Sequence, residues 1–205
     1  MTDAAMSTLF VTKLYRARLA EAAALNARLL ASCLAIAEAD KAGQAWSRAH
    51  GYKGYTSYAS LDDLTTRDPA FADLKRALDP HARAFTQALH LDLGRRKLAL
   101  DSIWINVLAP GGTHSGHIHP HSVLSGTYYV DTPKGASALK LEDPRLPQMM
   151  AAPPRRADAP EAEQTFVYLA PQAGDVLMWE SFVRHEVPPN GARRARVSVS
   201  FNYRW

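Results

Sequence analysis

The sequence predicts an α+β fold, mainly β, in a single domain spanning 1–205: a helical cover and loop over residues 1–95 and a β core over 96–205. Three observations predict it. Apolar residues recur every three or four positions up to about Leu91 and every second position after Lys97. The second half consists of short alternating runs separated by Gly, Pro and Asn turn signals, the pattern of an antiparallel sandwich or barrel. The last run has one apolar and one polar face, so the apolar face needs a cover, and the N-terminal helices can supply it.

The chain of 205 residues is 47% hydrophobic and 21% charged, ordinary for a soluble globular protein and long enough to bury a good core. Cys33 is the single cysteine, which excludes an internal disulfide framework and fits a reducing compartment; in its apolar run it reads as a small buried residue. The N-terminus has no basic-then-apolar leader pattern, and no apolar run approaches the roughly 18 residues that cross a membrane. A cytoplasmic protein with no membrane partner is therefore the expectation. The net charge of +4 is spread over small groups such as Arg95–Lys97, Arg155–Arg156 and Arg193–Arg196. A nucleic-acid binder would show a basic stripe with exposed aromatics, so no nucleic-acid partner is expected.

Thr8–Tyr15 reads as a short strand leading into an amphipathic helix from about Ala17 to Asp40, with Leu19, Ala23, Leu29 or Leu30, Cys33 and Ile36 or Ala37 on its buried stripe. Residues 41–68 are rich in Gly, Tyr, Ser and Asp and read as irregular, with one turn of helix at Leu61–Leu64; Trp46 and the tyrosines either line a pocket mouth or pack the loop down. Pro69 to about Leu91 is a second helical pattern that Pro80 should kink or divide. Strands follow at Lys97–Leu108, Val123–Val130, Ala136–Leu141, Gln164–Ala170, Asp175–Glu180 and Arg196–Arg204. Residues 145–163 have no period and many Pro and Ala, as in a disordered segment or a cover over a pocket.

Half of the eight histidines, His114, His117, His119 and His121, lie between two of these strands. Residues two apart on an extended segment share a face, so His117 and His119 can converge on one metal ion. His185 follows a strand and precedes a Pro-Pro-Asn-Gly turn, and Arg196 opens the last strand beyond it. There Val197, Val199, Phe201 and Tyr203 point one way; Arg196, Ser198, Ser200 and Asn202 point the other. An arginine facing a barrel interior is costly unless paired, and a bound carboxylate pairs it bidentately, with Ser198 adding a hydroxyl. Three neutral imidazoles suit Fe, Zn, Cu or Ni; beside a carboxylate-binding arginine they point to a 2-oxo acid on iron.

His117-Ile-His119, a histidine 66 residues later and an Arg-x-Ser pair after a ten-residue gap resemble the 2-oxoglutarate/Fe(II)-dependent oxygenase superfamily. HIHPHSVLSGTYYV, GDVLMWESFVRHEVPPN, RVSVSFN and the N-terminal LFVTKLY are similar to a mainly bacterial and phage branch related to prolyl hydroxylases. The resemblance implies a double-stranded β-helix (jelly-roll) core with helices on one sheet. It also implies Fe(II) and 2-oxoglutarate as cofactors, and hydroxylation of a small-molecule or peptide substrate with O2, releasing succinate and CO2. Position by position, it makes His117 and His185 metal ligands, Arg196 the 2-oxoglutarate arginine and Ser198 its helper. Asn106 and Tyr129 lie on core strands where such enzymes often contact the cosubstrate. One departure stands out: the superfamily usually has His-x-Asp or His-x-Glu where this chain has His119. Either the site is a three-histidine one, or a carboxylate comes from Glu142 or Asp143; His119 with His121 is a second register. A homodimer is compatible with this reading.

Two other readings fit parts of the pattern. Gly111, five residues and His117-x-His119 open like a cupin motif of a dioxygenase or isomerase that does not use 2-oxoglutarate. No glutamate follows at the expected distance, however, and the gap from Gly174 to His185 is too long. The third reading is a non-catalytic jelly-roll with a metal clip.

Overall fold

The alternating runs of the second half close into two facing antiparallel sheets. The computed structural model describes residues 4–145 and 150–205. The larger sheet contains β1 (Leu14–Arg18), β2 (Gly54–Thr56), β3 (Ala99–Leu108), β5 (Leu124–Asp131), β8 (Asp175–Glu180) and β10 (Arg196–Arg204), in the order β1-β8-β5-β10-β3-β2. The smaller contains β4 (His114–His117), β6 (Leu139–Glu142), β7 (Phe166–Leu169) and β9 (His185–Val187), in the order β4-β9-β6-β7. This is the jelly-roll arrangement.

Alternation divides each long strand between two cores. Val197, Val199, Phe201 and Tyr203 of β10 join Ile103 and Ile105 of β3 on the outer face of the large sheet. Gly126 lies on β5 beneath Phe201, where an added Cβ would stand 2.5 Å from the ring. The inner faces enclose a smaller apolar group that includes Leu108, Tyr129, Leu177, Trp179 and Val187. Between the sheets the same strands also present Arg196, Ser198, Asn106, Ser125 and Asn202, all buried.

The helices cover the outer face. α1 (Ala22–Ala39) and α4 (Pro69–Ala88) bury Leu29, Cys33, Phe71, Leu74, Leu78 and Phe85 against it. Asp68 joins them: its carboxylate accepts from the Ala70 N–H at 2.8 Å, capping α4, and from Ser32 Oγ of α1 at 2.6 Å. α4 runs unbroken through Pro80, against the expected kink or division. A mid-helix proline costs about 3 kcal/mol, and burial of even two of the four large α4 side chains, at about 1.5–3 kcal/mol each, offsets it.

Several other boundaries differ from expectation. The first strand is Leu14–Arg18 and not Thr8–Tyr15, because it pairs along the β8 edge, and α1 consequently starts later. Residues 41–68 are more ordered than their composition indicates: they form α2 (Lys41–Ala49), β2 and α3 (Leu64–Arg67). Asp40 organises this region, accepting from the Gly43 N–H that starts α2 and from Tyr55 Oη and Ser60 Oγ beyond it. α1 spans 18 residues at mean hydropathy 1.4, so by length and composition the chain does contain a run able to cross a membrane, contrary to expectation. In this fold α1 packs on the core, with Arg28 paired to Asp73 of α4 and Asn26 accepting from Tyr128 Oη of β5. Within 145–163, residues 146–149 lie outside the described residues, and 150–163 include a 3-10 turn at Glu161–Glu163 and no strand.

Candidate active site

Three imidazoles meet at one end of the space between the sheets. β4 and β9 pair in register, with His117 directly opposite His185. His119 lies just past the end of β4, where its N–H donates to the Ser181 carbonyl at 3.0 Å. One ring nitrogen from each of His117, His119 and His185 falls within 4.8 Å of the others, and the Nε2 atoms of His117 and His119 are 3.1 Å apart.

The opposite nitrogen of each ring has a partner. His117 Nδ1 donates to the Ser115 carbonyl at 2.7 Å and His185 Nδ1 to the Val183 carbonyl at 3.0 Å. His119 Nδ1 lies 2.6 Å from Asn202 Oδ1. These contacts place the proton on Nδ1 and leave each Nε2 lone pair for a metal. Burial pushes the His185 pKa down to about 3, reinforced by His117, and burial also lowers that of His119. Neutral imidazole is the form that ligates. Trp179 packs edge-on against His185, its ring centroid 4.7 Å away.

Arg196 opens β10 on the inner face of the larger sheet and is 3% exposed. Its guanidinium donates to the Ser137 carbonyl at 2.8 Å and lies 5.6 Å from the Tyr129 ring centroid, while its Nε has no partner. Among the described residues no carboxylate pairs with it. Ser198 follows on the same face, between Asn106 and Tyr129 of the flanking strands. Burial raises the Tyr129 pKa to about 12 although Arg196 opposes the shift. Tyr52 and His114 complete this side: His114 Nε2 meets Tyr52 Oη at 2.6 Å, and burial together with the Arg196 charge pushes the His114 pKa down to about 3.

Residues 102–202 match the family described as "Putative 2OG-Fe(II) oxygenase", where 2OG is 2-oxoglutarate. The chain belongs to this oxygenase family. No curated protein sequence matches it. Solved structures share the fold of the oxygenase at low identity. A Pseudomonas putida prolyl-4-hydroxylase is 18% identical, with 93% of this chain and 91% of that chain covered and a TM-score of 0.57. A Trichoplax adhaerens prolyl hydroxylase, in complex with a hypoxia inducible factor oxygen degradation domain peptide fragment, is 12% identical, with 93% and 82% covered and a TM-score of 0.58. The epimerase SnoN from nogalamycin biosynthesis, in complex with Fe3+, alpha-ketoglutarate and nogalamycin RO, is 13% identical, with 93% and 78% covered and a TM-score of 0.61.

The oxygenase uses Fe(II) and 2-oxoglutarate, and its own residues suit both. Three convergent Nε2 donors fit a ferrous ion with open positions. A buried guanidinium with an unpartnered Nε and no carboxylate partner among the described residues fits the far carboxylate of a dicarboxylic acid. Of the carboxylate alternatives for the third ligand, Glu142 pairs with Arg184 and Asp143 with Arg145, and among the described residues neither joins the histidine cluster. His121, at φ 69, lies outside the cluster, which brings His117 together with His119. Asn106 is engaged elsewhere, accepting from Thr56 Oγ1 and donating to Ser200 Oγ, both at 3.0 Å. Ser125 escaped the sequence reading and could have been found only from its inward-facing position on β5. Asn202 stood on the polar face of the last strand with no role given to it, and Tyr52 is one of the tyrosines read as lining a pocket mouth or packing the loop.

Proposed function

We propose that the oxygenase hydroxylates a C–H bond of a small-molecule or peptide substrate, with His117, His119 and His185 holding Fe(II) and Arg196, helped by Ser198, holding 2-oxoglutarate. The observation that carries this reading is the presence, in the space between the two sheets, of three converging Nε2 lone pairs and of a buried guanidinium that no carboxylate of the described residues pairs. When bound, iron and 2-oxoglutarate supply the oxidation: R–H, O2 and 2-oxoglutarate give R–OH, succinate and CO2. The residues themselves bind and orient. Arg196 fixes one end of the cosubstrate, and the low dielectric around it strengthens that contact. Tyr52 and His114 wall the space beside Arg196, and the apolar inner core keeps water from the back of the site.

The substrate side is read from exposure. Trp104 packs on His119 with ring centroids 5.6 Å apart, and Tyr58 stands edge-on to Trp104 at 5.3 Å. Tyr58, Ile118 and Phe182 are exposed next to site residues and form an apolar rim for a substrate to enter over. A cupin enzyme that does not use 2-oxoglutarate has no need of Arg196, and a structural zinc clip ordinarily has four closed ligands where the described residues bring three together. Anaerobic titration with Fe(II) and then 2-oxoglutarate tests the proposal. A visible metal-to-ligand charge-transfer band that is lost in Arg196→Met is expected, with succinate formed once O2 is admitted. Absence of both band and succinate in the wild-type protein would overturn it.

A further inference from the structure

The three imidazoles are not held in the same way. His117 and His185 place Nδ1 against main-chain carbonyls, of Ser115 and Val183, which only accept. The chain path alone therefore sets their tautomer. His119 Nδ1 instead faces side chains: Asn202 Oδ1 at 2.6 Å and Ser125 Oγ at 2.9 Å. Behind them runs a row of polar groups from adjacent strands. Ser125 Oγ donates to Asn202 Oδ1 at 2.8 Å, and Asn202 Nδ2 donates to Ser102 Oγ at 3.0 Å. Ser102 and Ser125 are the cross-strand partners of Asn202 on β3 and β5. With Nδ2 directed to Ser102, the amide oxygen faces the imidazole as an acceptor.

The sheet itself gives no reason for an amide here. Asn202 is 7% exposed within a strand, where asparagine is disfavoured and a β-branched residue would pack better. We infer that Asn202, oriented by Ser102 and Ser125, is a positioning residue that holds the proton of His119 on Nδ1 and aims its Nε2 at the metal. This inference rests on the metal site proposed above and identifies what allows a histidine to serve at the position where the superfamily usually has a carboxylate. With Nδ1 unsupported, the His119 ring can rotate or place its proton on Nε2, and the third ligand is then lost part of the time.

Co(II) is the probe, followed by its visible d–d absorption in an equilibrium titration of the metal-free protein. Asn202→Leu removes the acceptor and is expected to weaken Co(II) binding by about 10–100-fold and to alter the d–d bands. Asn202→Asp retains an acceptor oxygen and is expected to restore binding and band shape, which a purely structural role does not predict. If Asn202→Leu does not fold, Ser125→Ala gives the same comparison with a smaller loss in the same direction. Wild-type affinity and spectrum in Asn202→Leu would overturn the inference, as would an Asn202→Asp loss equal to that of Leu. Failure of the wild-type protein to bind Co(II) or Fe(II) would instead overturn the metal site, and the inference with it.

Discussion

Arg196 and Asn202 lie near opposite ends of β10, on the same face and almost equally buried. Their surroundings are opposite. Both the oxygen and the nitrogen of Asn202 are in hydrogen bonds to protein groups, whereas Arg196 has a neutral carbonyl, an unpartnered Nε and no counter-ion among the described residues. Desolvating a charge without a partner costs several kcal/mol. The contrast separates two uses of buried polarity: a satisfied group supports its neighbours, and an unsatisfied one marks where a ligand belongs.

Substitutions can break that contrast at either end, and the largest effect lies at the metal. His185→Ala removes one of the three ligands proposed for iron and is expected to abolish Fe(II)-dependent succinate formation, measured by chromatography. Arg196→Met removes the charge that awaits an anion. It is expected to cost about 2–5 kcal/mol of 2-oxoglutarate binding, read as a raised KM. The melting temperature of the metal-free protein should hold or rise, because an uncompensated buried charge has gone.

Acidification comes next. Burial lowers His114 and His185 from 6.5 to about 3. Between those values the unfolded chain carries the extra protons, so stability is full above about pH 6.5 and falls as pH drops towards 3. Each imidazole contributes about 1.4 kcal/mol per pH unit in that window. Urea unfolding of the metal-free protein checks the slope, and His114→Gln should reduce it by the contribution of one group. The smallest effect is that of Tyr52→Phe, which removes the hydroxyl beside His114 and should cost about 1 kcal/mol in the same unfolding measurement.

Two strands were the most legible parts of the sequence. Arg196–Arg204 has the expected bounds because it alternates strictly between an apolar and a polar face, and Asp175–Glu180 because a turn precedes a short run that is apolar on both faces and ends in Glu180. α2 was not legible, because its start depends on the Asp40 cap and its packing on Tyr55, and neither produces an apolar stripe. Pro80 misled for the opposite reason: a local rule gave way to burial along the whole of α4. At the site, His117, His119, His185 and Arg196 stood out because imidazoles and an inward-facing guanidinium are chemically conspicuous at that spacing. Ser125 and Asn202 are ordinary polar residues in sequence, and only the register of β3, β10 and β5 brings them under one ring.

The strand order also governs how the molecule assembles. β10 follows every one of its sheet neighbours in the chain, yet it lies in the middle of the sheet between β3 and β5, and β1 pairs with β8 through Leu14 and Trp179. Until β10 is in place, β3 and β5 present open edges and the helices have an incomplete surface to cover. Contacts this distant in sequence slow the search, with folding times on the order of milliseconds to seconds for sheet-rich domains of high contact order. During synthesis the histidines of β4 leave the ribosome well before the strand that carries Arg196 and Asn202, so the metal pocket is among the last features to acquire its shape.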